Sequence, residues 1–173
     1  MQTRVLLSAA AIRGRVAELG AEISRWAKPL PEPPAVLWLA DGAAVFAADL
    51  IREIDADIYV ESVRASSYGA GLSSSGEVVL GGDFSRFAGR DVLVVDDIFD
   101  TGLTLETVRL KLEAAGAKSV LSCVLLRKIG RETARGARPP DFVGFEIPDK
   151  FVFGYGLDMS GKYRNLKQIK CIK

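Results

Sequence analysis

The stretch Val94-Val95-Asp96-Asp97-Ile98-Phe99-Asp100-Thr101-Gly102-Leu103-Thr104, read as VVDDIFDTGLT, decides how this chain folds. Asp91 to Val95 leads into it as a near-continuous apolar run, the pattern of a strand covered on both faces. After it, Leu105, Val108, Leu112 and Ala115 recur at helical spacing until Gly116 stops them. A buried strand therefore turns directly into a helix, and the turn carries three carboxylates, Asp96, Asp97 and Asp100. In sheets built from such units, ligands bind beyond the carboxyl ends of the strands.

The helix start at Thr101-Gly102-Leu103-Thr104 offers unpaired amides and the positive end of a dipole, and a glycine there lets a ligand approach the backbone. That is a phosphate site, to which Thr101 and Thr104 add hydroxyl donors. The carboxylates would repel a phosphate, so they serve sugar hydroxyls, a divalent cation or a proton. The ligand implied has a phosphate, a polyol and magnesium. A lone D-T-G would be read as a helix cap beside a solvated turn. Two adjacent acids ending a buried strand are costly without a counter-ion, which favours a site.

Outward from this unit the same alternation continues. Ser8 caps a helix with apolar positions Ile12, Val16, Leu19, Ile23 and Trp26, which the stretch KPLPEPPA ends. Val36 to Leu39 reads as a strand, Ala43 to Ile54 as a helix and Ile58 to Val63 as a strand. Ala65 to Gly76, ASSYGAGLSSSG, has no periodicity and is expected to be a mobile loop. Glu77 to Leu80 is a short strand, Val120 to Leu126 a buried one ending at Arg127-Lys128, and RETARGARPP a basic connection. Phe142 to Phe145 and Phe151 to Phe153 are short strands, followed by a polar, lysine-rich tail. Helices alternating with apolar strands predict an α/β fold, a mostly parallel sheet flanked by helices on both faces. No repeat or linker divides the chain. Its 173 residues, 49% of them hydrophobic, are expected to form one domain, 1–173, burying about 68 to 70% of the unfolded surface.

Composition narrows the chemistry. Lys plus Arg number 23 against 22 Asp plus Glu, a formal charge of +1, so no global field favours nucleic acid or an anionic membrane. Cys123 and Cys171 form no metal spacing or disulfide framework and suit a reducing cytosol. The N-terminal MQTRVLLSAAAIRGRV has too short an apolar core for a signal peptide, and no window approaches the roughly 18 apolar residues of a membrane span. A cytoplasmic protein is expected. The absence of histidine removes Ser-His-Asp and Cys-His pairs and most zinc sites, leaving acid-base work to carboxylates, lysine or tyrosine.

The central segment resembles the phosphoribosyl-pyrophosphate signature of the type I phosphoribosyltransferases: an apolar strand, two acids, two apolar residues, then D-T-G-x-T. The run PDFVGFEIPDKFVFGYGLDMSGKYRNL, Pro140 to Leu166, is similar to the purine-binding and C-terminal segment of the hypoxanthine-guanine branch. So are RVAELGAEIS, FAADL, SSYGAGLSSSGEV and the strand end LLRK, in the same order along nearly the whole chain. The resemblance implies a core sheet with a small hood formed by the terminal segments. It also implies transfer of hypoxanthine or guanine to phosphoribosyl pyrophosphate, dependence on Mg2+, and a homodimer or homotetramer without nucleic-acid or membrane partners.

Position by position, the resemblance implies that Asp96 and Asp97 hold the ribose hydroxyls, directly or through magnesium, and that Asp100, Thr101, Gly102, Leu103 and Thr104 wrap the 5-phosphate. Asp100 would stand near the purine N7 as general base. Lys128 would donate to O6, which favours 6-oxopurines because a 6-amino group presents hydrogens to an ammonium. Phe151 would stack on the base and the Val152 backbone would read its edge; taken alone, Phe151 is equally a core residue. Asp158 would help hold a magnesium near the C2 side, and Arg164 would bind pyrophosphate with its forked donors. Ser67 and Tyr68 match the Ser-Tyr pair of a lid, which would shield an oxocarbenium-like state from water.

One turn departs from the family pattern. Where leucine-lysine-glycine is usual, this chain has Ala40-Asp41-Gly42, an acid in place of a cation at the pyrophosphate. Backbone amides and Gly42 are left to serve there, with a cis bond expected before Asp41. Leu103 also replaces the lysine of D-T-G-K-T. Two rival functions are weighed. A nucleotide-sensing regulator on this fold would bind nucleic acid and would need a basic face. A receiver-like phosphoacceptor would need its acidic pair after the first strand, whereas here the pair comes much later.

Overall fold

The computed structural model describes residues 2–67 and 78–172, with side chains for 2–64 and 81–172. In chain order its elements are β1 (Thr3–Leu7), α1 (Ala9–Ala27), β2 (Ala35–Ala40), α2 (Ala44–Glu53), β3 (Tyr59–Ser67) and β4 (Val78–Leu80). A 3-10 turn at Ser85–Phe87 precedes β5 (Asp91–Phe99), α3 (Leu103–Ala114), β6 (Ser119–Ile129), β7 (Phe142–Pro148), β8 (Val152–Phe153) and β9 (Ile169–Ile172).

Among the described residues, six strands form the main sheet in the order β4-β3-β2-β5-β6-β7. The pairs β3-β2, β2-β5, β5-β6 and β6-β7 are parallel, and the edge strand β4 runs antiparallel to β3. The apolar run of β5 explains its place in the middle, because its alternate residues feed two cores. Leu93 and Val95 pack with Ile12, Leu19, Phe46 and Leu50 of α1 and α2. Val92 and Val94 pack with Leu105, Val108 and Leu112 of α3. The expected α/β fold, helices on both faces of a parallel sheet, is the one observed.

Local signals act as their chemistry suggests. The Ser8 hydroxyl caps α1 by accepting from the Ala11 amide at 3.2 Å. Gly116, at φ 87°, ends the α3 segment in the left-handed conformation.

Several strands run past the ends read from the sequence, among them β7, which continues beyond Phe145 to Pro148. β5 does not end at Val95 but continues through Asp96 and Asp97 to Phe99, because β6 goes on pairing with it, Asp96 opposite Val124 and Phe99 opposite Arg127. β6 likewise runs to Ile129, so that Lys128 lies within the strand. β3 extends over Ala65, Ser66 and Ser67, read as the start of a loop, because β4 pairs with those three residues. Tyr68 and the rest of that segment, 68–77, lie outside the described residues.

The hood is a second, three-stranded antiparallel sheet in the order β1-β9-β8. Thr3 opposes Ile172 and Val152 opposes Cys171, so the two ends of the chain are tied together beside the last strand. The end of the polar tail is therefore strand β9, with Ile169 and Cys171 buried. Among the described residues no helix is long and apolar enough to cross a membrane.

Candidate active site

The carboxyl ends of β2, β5 and β6, the start of α3 and the hood loop between β8 and β9 converge. At the start of α3, Gly102 has φ 83°, and a Cβ there would run into the Phe99 ring. Glycine is the residue that fits, and it turns the chain from β5 into the helix. Glu106 N is the first amide with a helical acceptor, Gly102 O at 3.0 Å. The amides before it point off the helix end, where an anion is favoured. Thr101 is exposed there, and its hydroxyl faces the Leu103 amide at 3.5 Å.

Asp96 and Asp97 stand next to each other at the head of β5, with the Asp97 amide donating to Asp96 Oδ1 at 2.9 Å. Burial, followed by the charge and hydrogen bonding of Asp97, pushes Asp96 well above the usual carboxylate range. Burial raises Asp97 too, opposed by its bond with Asp96 and by the positive charge of Arg164. The turn after β2 closes on this pair. The Ala40-Asp41 peptide is cis, as expected. Gly42 lies against the Asp97 carboxylate so closely that a Cβ would overlap it, and a Cβ on Gly156 of the hood would in turn meet the Gly42 carbonyl.

On the other side of the β5 end, Asp100 meets Lys128, with Lys128 Nζ 3.6 Å from Asp100 Oδ2. Lys128 also reaches Asp149 Oδ1 at 3.1 Å. Arg131 Nη1 donates to both Asp100 oxygens at 2.5 Å, and its Nε lies 3.3 Å from Asp149 Oδ2. Two acids and two cations thus alternate around a ring at the ends of β5, β6 and β7.

Comparisons with known proteins point to one family. Residues 6–160 match the phosphoribosyl transferase domain family. The hypoxanthine-guanine phosphoribosyltransferase of Aquifex aeolicus is 40% identical over 171 residues, covering 98% of this chain and 94% of the relative. The chain belongs to the hypoxanthine-guanine phosphoribosyltransferase family. The Bacillus subtilis enzyme of that name is 43% identical over 173 residues, 98% of this chain and 93% of the relative. The solved hypoxanthine-guanine phosphoribosyltransferase of Bacillus anthracis superposes with a TM-score of 0.88 at 37% identity, covering 98% of both chains.

In this member of the family, Phe151 is 51% exposed, so it is not the core residue that its apolar neighbours allowed, whereas Val152 is buried. Both lie where β7 leads into the hood. Asp158 and Arg164 sit together on the hood loop, Asp158 Oδ1 to Arg164 Nη2 at 2.9 Å. The loop is held closed by Arg164 Nη1 to Gly156 O at 2.5 Å and Gly156 N to Arg164 O at 3.0 Å. Asp158 also accepts from the Gly161 amide at 2.8 Å. It is thus paired with Arg164 and that amide, and among the described residues no three His, Cys, Asp or Glu side chains gather as a metal cage. Asp41 is exposed at the turn beside Gly42. Ser67 ends β3, and Tyr68 lies outside the described residues.

Arg131, Asp149 and Gly156 are absent from the sequence reading of the site. Arg131 lies in the basic connection RETARGARPP and Asp149 in PDKF, two stretches whose composition or resemblance marked them without singling out these side chains.

Proposed function

We propose that this chain is a purine salvage enzyme, joining hypoxanthine or guanine to 5-phosphoribosyl 1-pyrophosphate to give IMP or GMP and pyrophosphate. One observation carries this above all. Asp100 and Lys128, the acceptor and donor suited to N7–H and O6 of a 6-oxopurine, meet 3.6 Å apart beside a phosphate-binding helix start. The relatives that match nearly the whole chain are named for that transfer.

The purine stacks on exposed Phe151, with the Val152 backbone along its edge and Asp158 near its C2 side. The α3 start, with Thr101, Gly102, Leu103 and Thr104, takes the 5-phosphate. Asp96 and Asp97 take the ribose hydroxyls. The amides around Asp41 and Gly42, together with Arg164, take the pyrophosphate. N9 of the base forms its bond to the anomeric carbon as the bond to pyrophosphate breaks, the electron pair leaving with pyrophosphate. Asp100 accepts the N7 proton and returns it in the reverse direction. Catalysis is mainly positioning and charge stabilisation.

The donor set suits Mg2+. Asp96 and Asp97 are adjacent acids whose burial makes their joint charge unfavourable without a cation. Magnesium is commonly bound by one or two carboxylates plus substrate oxygens rather than by a protein cage. Asp96 and Asp97 would hold it beside the ribose hydroxyls, and Asp158, near the C2 side of the purine, would help to hold a magnesium. When bound, it would neutralise charge on the leaving pyrophosphate.

Residues 1–173 act as one domain, in the cytoplasm, as a homodimer or homotetramer. Nothing in the fold or the comparisons supports a nucleic-acid-binding regulator. The test is pyrophosphate release that requires both a 6-oxopurine and phosphoribosyl pyrophosphate; release without the base, or none, would refute the proposal.

A further inference from the structure

Lys128 has only 12% of its side chain exposed, and an ammonium so placed needs acidic partners. The strand register supplies two. Phe99 lies opposite Arg127, which brings Asp100 beside Lys128. Lys128 lies opposite Ile147, and Asp149, two residues farther on, returns to the same side. Lys128 is 3.1 Å from Asp149 and 3.6 Å from Asp100, so its contact with Asp149 is the shorter.

A docked 6-oxopurine competes for the partners in this ring. N7–H draws on Asp100 oxygens that now accept from Arg131, and O6 draws on an Nζ proton of Lys128, which now faces Asp100. Asp149 then remains as the acid beside Lys128. It already touches Arg131 Nε, so it can also keep Arg131 when Asp100 releases it.

We propose that Asp149 is a positioning residue of the purine subsite, holding Lys128 at the O6 position and receiving Arg131 as Asp100 turns to the base. This rests on the O6 role proposed for Lys128. Selection for the 6-oxo group then depends on Asp149 acting through Lys128.

The test is a double-mutant cycle of Asp149→Asn and Lys128→Ala, read as KM for hypoxanthine, KM for phosphoribosyl pyrophosphate, and melting temperature. Asp149→Asn is expected to raise the hypoxanthine KM about tenfold, leaving the KM for phosphoribosyl pyrophosphate unchanged and the protein folded at the assay temperature. In the Lys128→Ala background it should add nothing, and Asp149→Glu should recover part of the loss. A wild-type hypoxanthine KM in Asp149→Asn, or effects that simply multiply in the double variant, would overturn the proposal. If Lys128→Ala alone keeps the wild-type hypoxanthine KM, the O6 role of Lys128 fails, and the inference built on it fails too.

Discussion

Gly42 and Asp97 are in direct apposition: the space a β-carbon would need at position 42 is filled by the Asp97 carboxylate. Gly42 does not have a positive φ, so alanine is excluded by that carboxylate and not by the backbone. Gly42→Ala is therefore expected to fold at a cost of about 1 to 3 kcal/mol, displacing Asp97. The affinity for phosphoribosyl pyrophosphate should fall at least about tenfold. Titration calorimetry with that ligand checks it, and unchanged affinity would separate Asp97 from ribose binding.

Tyr155 binds the hood to the core, its hydroxyl donating to Asp49 Oδ2 at 2.6 Å. Burial, then the hydrogen bond to Asp49, push the phenol well above its ordinary range. Folding thus favours the protonated tyrosine. Its contribution is complete below the ordinary tyrosine range and is lost as pH rises through about 10 and beyond. Tyr155→Phe should lower stability by about 0.5 to 1.5 kcal/mol near neutral pH. It should also lose the part of the alkaline destabilisation that wild type owes to this group. Denaturant unfolding at several pH values measures both.

Asp100→Asn keeps the shape of the side chain but cannot accept the N7 proton as a carboxylate does. Turnover should fall about 100-fold or more, while phosphoribosyl pyrophosphate still binds. Single-turnover kinetics beside equilibrium binding separates the two. Wild-type turnover would remove Asp100 from the base role.

Stripping divalent cations with a chelator should abolish turnover and weaken the binding of phosphoribosyl pyrophosphate, and Mg2+ should restore both. Asp97→Asn should raise the Mg2+ concentration needed for half-maximal binding in calorimetry. An unchanged Mg2+ dependence would take Asp97 out of the metal set.

The β5-α3 unit was legible because each part has a local cause: an apolar run for a strand buried on both faces, a helical period, and glycines at 102 and 116 that both adopt positive φ. The end of β5 was not legible. Aspartates are disfavoured in strands, so Asp96 and Asp97 looked like an exit from the sheet, whereas continued pairing with β6 holds the strand to Phe99. The residues of β1 and β9 sit at opposite ends of the chain, and no local pattern announces that Thr3 will oppose Ile172. The hood was foreseen only through resemblance. Asp149 and Arg131 were missed for a similar reason: each is an ordinary charged residue until the registers of three strands bring it to Asp100 and Lys128. The cis peptide at Asp41 was foreseen from the resemblance of the turn after β2.

The most direct test is to incubate the protein with phosphoribosyl pyrophosphate and Mg2+ and with hypoxanthine, guanine, xanthine or adenine in turn, and to identify the products. IMP or GMP with equimolar pyrophosphate is the predicted result, with adenine the poorest acceptor because its 6-amino group would face an ammonium at the O6 position proposed for Lys128. No nucleotide from any of the four bases, or AMP as the main product, would contradict the assignment.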